Sequence, residues 1–480
     1  MKKFNIILLF LLLICVPARF VFSFDVDAYP GKDLTPSIFS RGVKQTAAHR
    51  LIGTSETLLS IGITMGFNIA YNTITTGSAS WAIPTAESIN NNLTPPWRWE
   101  DTDGFKVNQI GHPLQGSLYY NSGRVNGFNF YESVFFNAFG GAVWEIFCET
   151  NDASINDLIT TTTGALTIGE ISYRLYLEAC AAGVPAPIAF LLNPVAGVHR
   201  ILTGWEPPGS GGNIHTFNAH IGTAYVQNNY STTGGNRDLF SFRGPVTDID
   251  LSLIYGNPFD QQSRIPFNHF EFAFSLGTDF SNYMGIRFIS DAYLFSFCPV
   301  YSDVDQMSTG LSLHMDALSL GSNSMDASSS IDQYSNALDW TIKYQHLFFP
   351  DVAFQTKFHF GFTFMGAASF YSPDLEIDLR NYGYGLNSKV SFNLEHKRLG
   401  NLAVSAFGYV LWGYPGTSAS SEGRAYWLFN DVTYSHYVSK HLSVGIGYSL
   451  AMEWGLYSKN NFPDIQKSDN AVKLFLTWNL

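Results

Sequence analysis

The chain has 480 residues and a formal net charge of -12, with 14% charged and 16% aromatic residues. Soluble domains carry about a quarter charged residues, yet the mean hydropathy is only +0.02, because Ser, Thr, Asn and Gly offset the apolar content. That balance excludes a disordered chain, a nucleic-acid binder and a polytopic helical membrane protein, and it fits an outer-membrane-type β-barrel.

Met1–Ser23 opens with Lys2 and Lys3, continues through the apolar stretch Ile6–Val16 and ends Val21-Phe22-Ser23. This is the pattern of a cleaved secretory signal. The alternative, a lipoprotein acylated at Cys15, is weakened by Ile14 before it and Pro17 after it. Removing Lys2, Lys3 and Arg19 takes 27 basic residues to 24 against 39 acidic ones, a mature charge near -15. Cys148, Cys180 and Cys298 remain, an odd number. They read as buried free thiols, with a Cys148–Cys180 bridge as the alternative.

The first part of the mature chain has helical periodicity. Thr46–Ala70 leans helical, but Gly53, Gly62, Gly66 and Asn68 favour burial against protein over a membrane span. His112–Ser117 reads as a turn entering a strand. Between Tyr131 and Glu149, Phe135, Phe139, Val143 and Phe147 recur on one face and Ala138, Ala142, Glu145 and Glu149 on the other. A polar break at Asn151–Asn156 precedes a second helix over Gly164–Ala181, with Glu170 and Arg174 at i, i+4. A third, Ile188–Leu202, contains Pro194 and ends with Arg200 before Gly204. These helices are too apolar to float free. They are expected inside the barrel lumen or at its periplasmic mouth, where Glu145, Glu149, Asp157 and Glu170 would meet wall Lys and Arg.

The rest of the chain alternates in steps of two. Val472, Leu474, Leu476, Trp478 and Leu480 share one face, and Leu442, Val444, Ile446, Tyr448, Leu450, Met452 and Trp454 do so in the preceding segment. A strand with lipid outside and a polar interior needs this pattern. Twelve segments follow it, near 213–225, 240–255, 267–276, 284–297, 309–320, 335–348, 351–366, 382–396, 401–414, 424–438, 440–454 and 471–480. Tight connections such as Ser439-Lys440 alternate with longer ones at Ser322–Tyr334 and Tyr457–Asn470. The phase turns Asn218, His220, His269, Glu271, Arg287, Asp291, His314, Asp316, Asp339, Lys343, Lys357, His359, Lys389, Glu395, Glu453 and Lys473 inward, since a charge facing hydrocarbon at mid-depth costs about 2–4 kcal/mol. His220, His269, His314 and His359 lack the tight spacing of a metal site.

The block His112-Pro113-Leu114-Gln115-Gly116-Ser117-Leu118-Tyr119-Tyr120, then Trp144-Glu145, Glu149, Ser154, Asn156-Asp157-Leu158, Gly169-Glu170, Arg174, Asn193-Pro194-Val195-Ala196-Gly197, Arg200 and Gly204, resembles a bacterial family, domain of unknown function 3943. The resemblance covers roughly residues 100–205. It implies an outer-membrane or periplasm-facing protein and no particular activity. Ala153 stands where the family pattern has a Pro, and Thr163-Gly164-Ala165 departs from a Gly-Gly pair.

Chemistry is less legible. His441-Leu442-Ser443 has the His–Ser spacing of outer-membrane lipid hydrolases, but Val444 and Gly445 replace the expected Asn and Gly. His112 with Ser117, and Glu145 paired with Glu149 or Glu170, are the other candidates for nucleophilic or acid/base work. No phosphate loop, Cys-rich motif, HExxH or nucleophile elbow occurs. The expected organisation is a signal peptide over 1–23, a helical plug or buttress over 24–205 and an antiparallel barrel of about 12 strands over 206–480. Trp144, Glu145, Glu149, Asp157, Glu170, Arg174 and Arg200 would form a plug network. The expected role is structural or plugged-channel transport in the outer membrane, by a monomer with lipid as its partner, an unidentified periplasmic or small-molecule ligand and no cofactor or metal. A lipid-modifying hydrolase is the alternative.

Overall fold

A computed structural model describes residues 47–76, 83–94, 97–99, 103–207, 211–232, 235–259, 262–322, 330–372, 377–414, 423–457 and 462–479. The expected signal peptide lies outside them. The chain divides into two compact units at Asn213/Ile214.

The second unit is a closed barrel of twelve long antiparallel strands: β1 Ile214–Thr232, β2 Gly235–Tyr255, β3 Phe270–Thr278, β4 Tyr283–Tyr301, β5 Asp305–Ser322, β6 Ile331–Phe349, β7 Val352–Ser372, β8 Ile377–His396, β9 Gly400–Gly413, β10 Arg424–Tyr437, β11 Leu442–Leu456 and β12 Ile465–Asn479. A two-residue strand, Gln262–Ser263, adds to β4. Every strand pairs with its neighbour in sequence, and β12 closes the ring on β1 in the register Asn218↔Asn479. The exterior is greasy. Phe358, Phe360 and Phe362 on β7 and Leu474, Leu476 and Trp478 on β12 are all exposed. Closure satisfies the backbone without water, which permits such a surface to face hydrocarbon.

Several strands extend past the segments expected from alternation, by up to seven residues at Thr232. As a result the connections expected at Ser322–Tyr334 and Tyr457–Asn470 shrink to 323–330 and 457–464. Lys467 and Asp469, which read as loop residues, are inward and buried on β12.

The first unit contains α1 Ala47–Thr76, α2 Ala86–Leu93, α3 His112–Val125, α4 Phe130–Phe147, α5 Ile155–Ala181, α6 Ala186–Leu192 and α7 Pro194–Thr203. His112–Ser117 is therefore not a turn entering a strand. It opens α3, the central helix, preceded by a π-turn at Val107–Gly111. Close packing explains its composition. A Cβ on Gly116 would lie 2.1 Å from the Thr161 carbonyl of α5, and one on Gly140 of α4 would lie 2.7 Å from the Tyr119 ring.

The third expected helix is two, because Pro194 begins α7 rather than lying inside a helix. Asn193 ends α6 and accepts the Ala196 N–H at 3.0 Å as the cap of α7. The second helix starts at Ile155, with Ser154 as its cap, so Thr163-Gly164-Ala165 is helix interior. Polarity runs opposite to that of a soluble bundle: on α4, Phe135, Phe139 and Phe147 are exposed while Ser133, Asn137 and Glu145 are buried. No described helix is long and apolar enough to cross a membrane.

Candidate functional site

Two arrays of buried polar groups stand out, one in each unit. In the helical unit, His112 enters at the start of α3, Glu145 near the end of α4 and Asp157 in the first turn of α5, each almost wholly buried. One donor atom from each lies within 4.8 Å of the other two, and His112 Nε2 is 3.9 Å from Asp157 Oδ1. Each is held by a further group. Thr161 Oγ1 meets His112 Nδ1 at 3.1 Å, the Ser154 N–H donates to Glu145 Oε2 at 3.0 Å, and Asn156 Nδ2 donates to Asp157 Oδ1 at 2.9 Å. Asn92 supports the turn above them by donating to the Glu145 carbonyl.

Among the described residues, those expected as a plug network make the following contacts. Trp144 donates its indole N–H to Glu149. Glu170 accepts from Arg124 Nε at 2.9 Å, Arg174 Nε at 2.8 Å and the Tyr120 hydroxyl at 2.7 Å. Burial alone would raise the Glu170 pKa, but the Arg124 and Arg174 charges and the Tyr120 hydrogen bond outweigh it, and the carboxyl is held below its usual range. Arg200 lies 3.6 Å from Glu206. Neither expected Glu–Glu pair forms this site; Glu145 meets Asp157 instead. Cys148, Cys180 and Cys298 are free thiols, and burial together with Glu149 pushes the Cys148 thiol up to about 11.

His112 and Ser117 do not meet. Ser117 donates to the Leu114 carbonyl at 2.6 Å, one turn back along α3. His441 and Ser443 also stand apart: Ser443 is buried, whereas His441 is exposed and stacks on Trp478.

In the barrel, inward side chains bond across the lumen. Lys343 of β6 donates to Glu271 of β3 at 2.7 Å and Asp291 of β4 at 2.6 Å, and meets His269 Nε2 at 2.8 Å. Lys357 of β7 also reaches Glu271. Lys389 of β8 pairs with Asp316 of β5 at 2.5 Å and meets His314 at 3.0 Å, and Tyr409 of β9 donates to the same Asp316. His359 lies beside His314, its Nδ1 2.8 Å from Thr341 Oγ1, and Asp339 accepts from Asn387.

Towards another level, Lys473 of β12 pairs with Asp248 at 2.9 Å and Asp250 at 3.2 Å, while Arg287 of β4 lies over the Phe429 ring of β10. Lys467 of β12 donates to the Ser369 carbonyl of β7. His220 contacts Thr477, Asn218 contacts Ser252, Glu395 accepts from Tyr437, and Glu453 is fully buried opposite Lys467. Lys343, Lys357, Lys389 and Lys473 thus meet wall carboxylates, whereas Glu170 meets arginines of its own unit. An apolar layer of Leu318, Ile331, Phe407, Trp427 and Phe429 adds to the filling. A cavity of about 40 Å³ beside Asp248, Arg287 and Lys473 has room for a few waters at roughly 10–15 Å³ each.

The class defined by this architecture is an outer-membrane-type β-barrel preceded by a buried-polar helical unit. Within the latter, residues 96–194 match the family model described as "Domain of unknown function (DUF3943)". The matched stretch holds His112, Glu145, Asp157 and Glu170. No curated protein matches the sequence. Among solved structures, the chain is similar to the NanC porin (8% identity, 53% of this chain and 100% of that one, TM-score 0.25). It is similar as well to the toluene transporter TodX of P. putida (10%, 55% and 89%, 0.23). A third is the translocator domain of the autotransporter NalP from Neisseria meningitidis (9%, 55% and 88%, 0.26).

Sequence reasoning singled out His112, Glu145 and Asp157 separately and missed their convergence. They lie on three helices with no motif spacing. The one signal available was that all three fall within the family-like block.

Proposed function

We propose that the protein is a monomeric outer-membrane barrel, exported by a cleaved signal peptide, whose plug is made by its own wall. It is a structural anchor or closed channel for the helical unit that precedes it. One observation carries this reading: ion pairs and hydrogen bonds run between strands that are not neighbours, β3 to β7, β5 to β9 and β7 to β12. In an open aqueous pore these groups would be hydrated, yet His314, Asp316 and Asp339 have no exposed surface and Lys343 only 2%.

Of the two bases for a hydrolase alternative, the His112–Ser117 pair is disfavoured by the Ser117 bond to the Leu114 carbonyl, and the helical carboxylates are the other. Purified full-length protein in planar bilayers is expected to be electrically silent. Substituting Lys343, Lys389 and Lys473 together by Met should give flickering conductance steps. A steady stepwise conductance from the wild type overturns the sealed-barrel reading.

A further inference from the structure

We propose that His112, Glu145 and Asp157 form a divalent transition-metal site in the helical unit, for which Zn²⁺ is the natural probe. The donor set is one imidazole nitrogen and two carboxylates without thiolate, a mixed N/O set suited to Zn²⁺, Fe²⁺ or Mn²⁺. With metal–ligand bonds of about 2 Å, donors around one cation sit roughly 3–4 Å apart. The His112–Asp157 separation of 3.9 Å already falls in that range, and all three donor atoms lie within 4.8 Å of one another.

The supporting residues are those a metal centre needs. Bonded to Thr161 through Nδ1, the His112 ring turns Nε2 towards Asp157. The Ser154 amide fixes one oxygen of Glu145, and Asn156 fixes one of Asp157. Such second contacts orient ligands and set their basicity.

A further polar group lies one hydrogen bond away. Gln109 has no exposed surface and donates through Nε2 to Asn156 Oδ1 at 2.8 Å. Its amide oxygen has no hydrogen-bond partner among the described residues, and a water carried on the cation would supply one. Gln109 belongs to the π-turn that delivers His112, a local irregularity that recurs at functional sites. The other grouping of this kind, His269, Glu271 and Asp291 in the barrel, carries no such proposal, because the Lys343 ammonium sits 2.6–2.8 Å from all three.

The test uses the full mature chain, purified in detergent without a polyhistidine tag, stripped with chelator, loaded with Zn²⁺ alone and desalted. Elemental mass spectrometry should find about one Zn²⁺ per chain in the wild type and in Ser117→Ala. At least tenfold less is expected in His112→Gln, Glu145→Gln and Asp157→Asn. Zn²⁺ should also raise the helical melting temperature of the wild type, by preferential binding to the folded state. This second readout uses no variant, so misfolding of a variant leaves it intact. A wild type that retains less than a tenth of an equivalent with no melting shift overturns the proposal, as do folded variants that hold as much Zn²⁺ as the wild type.

Discussion

Replacing Lys343 by Met keeps an unbranched side chain, one atom shorter, and deletes the charge that joins β6 to β3 and β4. In the folded barrel its ammonium meets three groups at 2.6–2.8 Å and is 2% exposed. Glu271 keeps Lys357 as a partner, whereas the ion pair of Asp291 is lost. Removing one member of a buried pair costs about 3–5 kcal/mol, because the remaining charge stays desolvated, and roughly two to three and a half powers of ten in the folding equilibrium follow at about 1.4 kcal/mol each. The measurement is guanidinium unfolding in detergent, followed by tryptophan fluorescence and by loss of the heat-modifiable gel shift. Adding Asp291→Asn to Lys343→Met should then cost less than the sum of the single variants, with a coupling of about 0.5–3 kcal/mol. A single-variant loss below about 1 kcal/mol, or strict additivity, would show that water reaches these groups and that the lumen is not sealed by them.

Three further variants concern the helical unit. Gly116→Ala should lower its thermal stability by about 1–3 kcal/mol through overpacking against Thr161, whereas Gly62→Ala, with nothing within 4 Å of the added methyl, should raise it by about 0.5–1 kcal/mol; circular dichroism melts read both. Because the Arg124 and Arg174 charges hold the folded pKa of Glu170 below the usual carboxylate range, its contribution is present above that range and is lost as pH falls through the folded value. Glu170→Gln should therefore cost about 3–5 kcal/mol at pH 7 and flatten the melting-temperature profile between pH 5 and pH 3 relative to wild type.

The barrel was legible because lipid on one side and packed polar groups on the other impose a period of two, and Phe358, Phe360 and Phe362 keep it without a break. Legibility failed where both environments are polar. The ends of β6 and β12 carry Asp332, Lys467 and Asp469 inward, and beyond the hydrocarbon nothing requires an apolar outward face, so these stretches resembled loops. Helix α3 was missed for a related reason. It is covered on several sides, and Gly116, Ser122 and Gly123 serve close approach rather than an apolar stripe. The His112–Glu145–Asp157 convergence depends on how three helices pack, which no local spacing encodes.

The seam between the first and last strands also sets a timetable. Residues 218 and 479 must find each other, so the cylinder stays open until β12 is in place. A nonsense or frameshift lesion near the C-terminus would strip β12 and leave two bare edges with unmet amide and carbonyl groups in the bilayer. Loss of β12 should eliminate the assembled barrel outright rather than trim it.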